Sequence, residues 1–157
     1  MNQRDQAVVD YYWVKENIRY SLAPWGGVSE TLATRRGHCG HKTELLSALL
    51  REKGIKTRYI EGRNSVSNFG VVSPLGRHIW LEAEVDGEWL TLDPALDSGI
   101  AHSFGDTEPG THLGNYAREV VWDELPIEYK QIYNNPLVGL VRLYYEAKIL
   151  LERRMPR

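Results

Sequence analysis

The segment from Arg77 to Asp93 constrains this 157-residue chain more than any other. It alternates apolar and polar residues on both sides of Asp86-Gly87. That dipeptide favours a two-residue β-hairpin turn, because both positions must accept positive φ. A two-residue turn fixes the register, setting Val85 opposite Glu88, Glu84 opposite Trp89 and Trp80 opposite Asp93. One face then gathers Ile79, Leu81, Ala83, Val85, Leu90 and Leu92, all apolar. The other carries His78, Trp80, Glu82, Glu84, Trp89, Thr91 and Asp93. A slip of one residue would move His78 or Asp93 to the apolar side, so turn and pattern demand the same pairing. In that register His78 and Asp93 are diagonal neighbours on one face, with α-carbons roughly 7–8 Å apart.

The lone cysteine, Cys39, lies where a glycine-flanked turn becomes a helix. Leu45, Leu46, Ala48, Leu49 and Leu50 recur at helical spacing behind it, Arg51 and Lys53 fill the last turn, and Gly54 supplies the stop. The pattern predicts a helix from about Cys39 to Lys53. A thiol in its first turn feels the positive end of the helix dipole, which favours thiolate. Gly37 and Gly40 leave room for close approach to the sulfur. A lone cysteine is also a common small core residue, so position alone does not make Cys39 a nucleophile.

The bulk numbers narrow the class. One cysteine excludes an internal disulfide framework and a Cys-rich zinc site, and suits a reducing compartment. A formal charge of −2 gives no overall footprint for nucleic acid. Residues 1–10 lack a signal-peptide apolar run, and no stretch has the length of a membrane span. The expectation is a single cytoplasmic domain over residues 1–157, with its core at about 31–95, a lid or loop region at 96–135 and a C-terminal amphipathic helix at 136–153.

Periodicity predicts a helix from about Arg4 to Ile18, a loop from Ser21 to Gly27, and a short helix from Glu30 to Thr34 capped by Ser29. Lys56 to Glu61 reads as a strand, and Gly62 to Leu75 as a loop with extended structure near Phe69 to Val72. Ala95 to Asn115 shows no period. Glu119 to Trp122 reads as a short strand and Pro126 to Tyr133 as a helical turn. Asn135-Pro136 opens the last helix, marked by Leu137, Leu140, Val141, Tyr144, Ala147 and Leu151.

Cys39, His78 and Asp93 together suit acyl chemistry. A thiolate attacks the carbonyl carbon, an imidazole moves the proton, and a carboxylate fixes the imidazole tautomer. For Cys39 to reach His78, the polar face of the hairpin is expected to pack against the cysteine helix. The runs Gly37-His38-Cys39-Gly40, Leu49-Leu50-Arg51-Glu52-Lys53-Gly54-Ile55 and Arg58-Tyr59-Ile60-Glu61-Gly62 precede the hairpin in that order. Arg77-His78-Ile79-Trp80-Leu81-Glu82 and Trp89-Leu90-Thr91-Leu92-Asp93-Pro94 follow. Together these runs, from about Thr31 to Ala95, resemble the transglutaminase-like superfamily, with its Gly-x-Cys, His-x-Trp and Trp-x-x-x-Asp elements.

The resemblance implies a papain-like α+β fold with the nucleophile helix packed on an antiparallel sheet. It implies Cys39 as nucleophile, His78 as general base and acid, and Asp93 as orienting carboxylate, with no cofactor and no metal. Substrates would be peptides, proteins or small acyl and amide compounds, cleaved or transferred at a peptide, amide or thioester carbonyl. The chain lacks the paired Cys-x-x-Cys ligands of the glycan-amidase branch and has no room for the extra β-domains of animal cross-linking enzymes. The alternative is a catalytically idle papain-like module that binds proteins or peptides.

The backbone N–H of Cys39 is one expected oxyanion donor. Related enzymes often use an upstream side chain as the second, for which Trp25 and Tyr20 are candidates, each otherwise a cleft wall or core residue. His38 and His41 are expected to line the cleft or the surface, and His41 can also perturb the thiol. Trp80 is expected to shield Asp93 from water. His102 and His112 fall in the lid region, Glu82 and Glu84 run toward the hairpin tip, and Arg35 and Arg36 occupy a solvated turn. The C-terminal helix carries Arg142, Lys148, Arg153, Arg154 and Arg157, a basic set suited to a membrane surface. Glu146 and Glu152 dilute it, which favours packing on the domain or a homodimer.

Overall fold

The computed structural model describes residues 1–22, 25–65, 77–132 and 134–155. The extended segment expected around Phe69 to Val72 lies outside the described residues, as does Tyr133. The chain opens with helix α1, Gln3–Asn17, capped by the Asn2 side chain on the Asp5 N–H. Strand β1, Arg19–Tyr20, pairs in parallel with β2, Arg36–Gly37, and α2, Gly27–Thr34, lies between them. Ser29 does not cap α2. The helix starts three residues earlier than expected, with Gly26 at its N-cap and no side-chain cap bond.

Helix α3, Cys39–Glu52, ends as its sequence demands, with Lys53 at the cap and Gly54 at φ +76°. Strand β3, Thr57–Ser65, continues four residues past the expected stop, so Gly62 is strand rather than loop. The hairpin of β4, Arg77–Val85, and β5, Glu88–Leu92, follows the predicted register, with Val85 opposite Glu88 and Glu84 opposite Trp89. Asp86 and Gly87 have φ +53° and +82°, as a type I′ turn requires. The region expected to be a lid holds a helix, α4, Ser98–Phe104, capped by Asp97 on the Gly99 N–H. Its brevity hid any period. Strand β6, Tyr116–Trp122, begins three residues before the expected one, followed by α5, Ile127–Ile132, and α6, Pro136–Arg154. The antiparallel sheet has the order β5-β4-β3-β6.

The apolar hairpin face, not the polar one, packs against the cysteine helix. Ile79, Leu81, Ala83, Val85, Leu90 and Leu92 are buried in one core with Leu45, Leu46 and Leu50 of α3 and with Tyr11 and Val14 of α1. The expected approach through the polar face is therefore wrong, because burying this apolar surface outweighs any polar docking. Cys39 instead reaches His78 around the end of the ladder. The pairing stops at Leu81–Leu92, one pair short of the expected Trp80–Asp93. In this register the next hydrogen-bonded position would set Ile79 opposite Pro94, and proline has no N–H to give. The Ile79 peptide groups are thus free for α3. The Thr43 hydroxyl donates to the Ile79 carbonyl (3.4 Å), and the Ile79 N–H serves the Cys39 sulfur.

Candidate active site

The start of α3 is closed by two histidines. His38, the N-cap, accepts the Gly40 N–H on Nδ1 (3.1 Å), and His41 Nδ1 accepts the His38 N–H (3.3 Å). The reciprocal cap satisfies helix-start donors that would otherwise be unpaired. Burial, with His41 alongside, holds the His38 pKa far below its ordinary value, so this ring stays neutral and accepting. Gly40 is required by contact. A Cβ there would meet the Trp25 ring at 2.6 Å and the Tyr129 ring at 2.8 Å.

His78 and Asp93 are both fully buried, with His78 Nε2 2.7 Å from Asp93 Oδ2. The same Oδ2 accepts the Leu113 N–H (2.9 Å), and Oδ1 accepts the Ala95 N–H (3.2 Å). With Nε2 on the carboxylate, the other ring nitrogen is the one left to interact with the Cys39 sulfur. Cys39, 3 % exposed, also lies 3.3 Å from the Tyr129 hydroxyl. Burial pushes the thiol pKa up. A hydrogen bond from His78, the charge of that ring, the Tyr129 hydroxyl and the Ile79 N–H outweigh it and leave the thiol below its ordinary value. Burial alone would lower His78, but the Asp93 carboxylate and the Cys39 sulfur raise it to about 10. Burial likewise raises Asp93, and the His78 charge and hydrogen bond with the two backbone donors bring it below the usual carboxylate range. The shifts of Cys39 and His78 run in opposite directions, each favouring the charged form of its group, with the Asp93 carboxylate on the far side of the ring.

A model of the transglutaminase-like superfamily matches residues 1–94, more than half of the chain. The chain belongs to this superfamily. No curated protein matches it. One solved structure, named "putative cysteine protease from Cytophaga hutchinsonii", superposes with a TM-score of 0.49 at 19 % identity, over 74 % of this chain and 39 % of that one. This transglutaminase-like chain therefore spans about two fifths of that protein's length.

The remaining candidates differ in their contacts and burial. Trp25 stacks on His41 (ring centroids 4.6 Å apart) and meets Tyr129 edge-on at 6.2 Å. Tyr20 is buried in β1, its N–H donating to Asp97 (2.7 Å) and its carbonyl accepting from Arg153 (3.1 Å). Trp80 is buried 5.8 Å from the His78 ring and stacks on His112 at 4.1 Å. Arg35 is exposed over the Trp13 ring, and Arg36 donates to Ser21. Glu82 pairs with Arg58, Glu84 pairs with Lys56, and His102 is exposed on α4. Among the described residues, no group of three or more His, Cys, Asp or Glu is arranged to hold a metal ion, and no helix is long and apolar enough to cross a membrane.

Sequence reasoning missed Tyr129 and the cover of Asp93. Tyr129 lies on the six-residue helix α5, whose period is too short to announce a buried face. Residues 107–116 fold over the His–Asp pair. Thr107 donates to the Asp93 carbonyl (2.7 Å), the Gly110 N–H to the Thr91 carbonyl (2.7 Å), and the Tyr116 ring stacks 6.0 Å from His78. His112, which the sequence placed only in the lid region, belongs to this cover and stacks on Trp80.

Proposed function

We propose that this chain is a cofactor-independent cysteine enzyme that cleaves or transfers an acyl group at a peptide, amide or thioester carbonyl. The observation that carries the reading is one buried imidazole shared between Asp93 and the only thiol of the chain. In this reading the Cys39 thiolate attacks the carbonyl carbon to form a tetrahedral adduct. Its oxyanion is met by the Cys39 N–H at the first position of α3, and the Tyr129 hydroxyl, released from the sulfur, is a second donor. The His78 imidazolium then gives its proton to the leaving amine or thiol, and the acyl-enzyme forms. Water or an amine, deprotonated by the now neutral imidazole, attacks the thioester and releases Cys39. Asp93 keeps the proton of Nε2 in place, so the catalytic nitrogen is the one facing sulfur. Trp25 and Tyr129 form the wall along which an acyl chain reaches Cys39.

The test is the pH dependence of Cys39 alkylation by iodoacetamide, in the wild type and in His78→Ala. The wild type is expected to react with an inflection below the ordinary thiol value of about 8.5. In the variant the inflection moves up. A single inflection near 8.5 in both proteins would leave Cys39 an idle thiol and sink the reading.

A further inference from the structure

Helix α6 is amphipathic, but it is mounted with its charged side inward. Glu146 accepts from the Ser21 hydroxyl (2.8 Å) and the Leu22 N–H, and Glu152 from the Ser103 hydroxyl (2.6 Å). Arg153 forks onto both Asp97 oxygens (2.6 and 2.7 Å). Ile149 is buried beside these groups. The outward side carries Leu140, Leu143, Tyr144, Leu150 and Leu151, continued just past the helix end by Met155, all 45–72 % exposed. At 3.6 residues per turn the five helical residues fall within an arc of about 120°, along a stripe about 16 Å long. Scattered exposed apolar residues are ordinary, whereas a continuous stripe marks a surface that is covered in use.

The charges along the stripe indicate what covers it. Lys148 and Arg154 are exposed on the same side, and the Lys148 ammonium lies 4.9 Å from the Tyr144 ring. Arg36 and Arg142 line the groove beside Leu143, where Glu30 also sits, and Arg19 and Arg36 line the groove beside Leu150. The two acids of α6 that made a membrane surface unattractive in the sequence are turned into the domain. A second copy of this face would bring Lys148 and Arg154 against their own kind, with no α6 acid left to pair them. An apolar stripe edged by cations fits a layer of anionic headgroups, with the alkyl stems of Lys148 and Arg154 reaching past the apolar side chains.

We infer that α6 docks this chain on an anionic lipid surface, lying in the plane of the interface with its Leu140-to-Met155 stripe among the headgroups. The inference stands apart from the chemistry proposed for Cys39. It is tested by co-sedimentation of the full chain with phosphatidylcholine vesicles, either pure or with about 30 % phosphatidylglycerol. The expected result is binding to the anionic vesicles only. Lys148→Gln with Arg154→Gln should weaken partitioning about 25-fold, since each cation near such a surface is worth about fivefold. Leu143→Ser with Leu151→Ser should weaken it at least about tenfold, through lost apolar burial. All four side chains are exposed, so circular dichroism of both variants should match the wild type. Absence of binding to anionic vesicles overturns the inference, and so does equal binding to both vesicle types that survives the cation change. A dimer in sedimentation velocity that the leucine pair dissociates, with no vesicle binding, would assign the face to self-association instead.

Discussion

Asp93→Asn changes one atom type in a fully buried group, and the geometry specifies the consequences. Oδ2 accepts from both His78 Nε2 and the Leu113 N–H, and Oδ1 accepts from the Ala95 N–H. An amide has one acceptor oxygen where the carboxylate has two. If that oxygen takes the Oδ2 place, the amide nitrogen faces the Ala95 N–H. If the amide is flipped, its nitrogen faces Leu113 and His78, and the ring must move its proton to the nitrogen that serves the thiol. Either way a buried donor is left unpaired, at about 1–3 kcal/mol, and a charge-assisted bond worth about 1.5–3 kcal/mol is lost. The destabilisation should total about 3 kcal/mol. Its pH dependence follows from the shifts. Asp93 lies below its unfolded pKa, so its contribution is present above about pH 4 and is lost as pH falls through the folded value. His78 lies above its unfolded pKa, so its contribution is full below about pH 6.5 and fades as pH rises toward about 10. Urea denaturation should therefore show the largest gap between wild type and variant from about pH 4 to 6.5, narrowing toward pH 10. Alkylation of Cys39 reads the same change at the thiol. At pH 6 a thiol of ordinary pKa is only about 0.3 % ionised. Allowing for the greater nucleophilicity of a more basic thiolate, the rate there should fall at least about tenfold. A variant as stable as the wild type near pH 5.5, with an unmoved alkylation inflection, would refute this account of the His78–Asp93 pair.

Tyr129→Phe removes the hydroxyl 3.3 Å from the sulfur while keeping the ring packed against Gly40. The alkylation inflection of Cys39 should move upward, by less than in His78→Ala, with the urea midpoint unchanged within error. Arg153→Met leaves the mostly buried Asp97 with the Tyr20 and Gly99 N–H groups alone. It should cost about 2–3 kcal/mol in urea denaturation and open α6 to proteolysis. Burial raises the Asp97 pKa, but Arg153, followed by the Tyr20 N–H, brings it down to about 2, so the wild type loses stability as pH falls from about 4 through 2. That acid loss should be reduced in the variant.

The hairpin and the cysteine helix were legible because their information is local. Asp86-Gly87 sets a turn, alternation sets the faces, and leucine spacing with Gly54 sets the helix and its end. His78 beside Asp93 followed from the register. What the sequence hid depends on contacts between segments distant along the chain. Tyr129 touches a sulfur 90 residues away, and Leu113 donates to a carboxylate 20 residues away, through a backbone group that no residue type announces. The orientation of α6 was hidden in the same way. Its residue pattern gives an apolar stripe, yet Ser21, Asp97 and Ser103 decide that the opposite side faces the domain.

The expected contact between Cys39 and His78 failed in its route, for a reason present in the sequence. Pairing by face assumes that two groups meet across packed surfaces, and here six apolar side chains of the hairpin already occupy that surface against α3. The alternative is the strand edge. Pro94 falls opposite Ile79 in the register set by Asp86-Gly87, and a proline there cannot donate to the Ile79 carbonyl. The ladder must therefore end at Leu81–Leu92, and β4 continues past it with peptide groups that need partners. The N-terminal part of α3 supplies them through Thr43 and Cys39. Leaving the ladder, Asp93 turns its carboxylate to His78 and takes N–H groups from Ala95 and Leu113. Asp-Pro at the end of this hairpin thus ends a strand, opens the slot for the cysteine helix and frees the carboxylate that hydrogen-bonds His78.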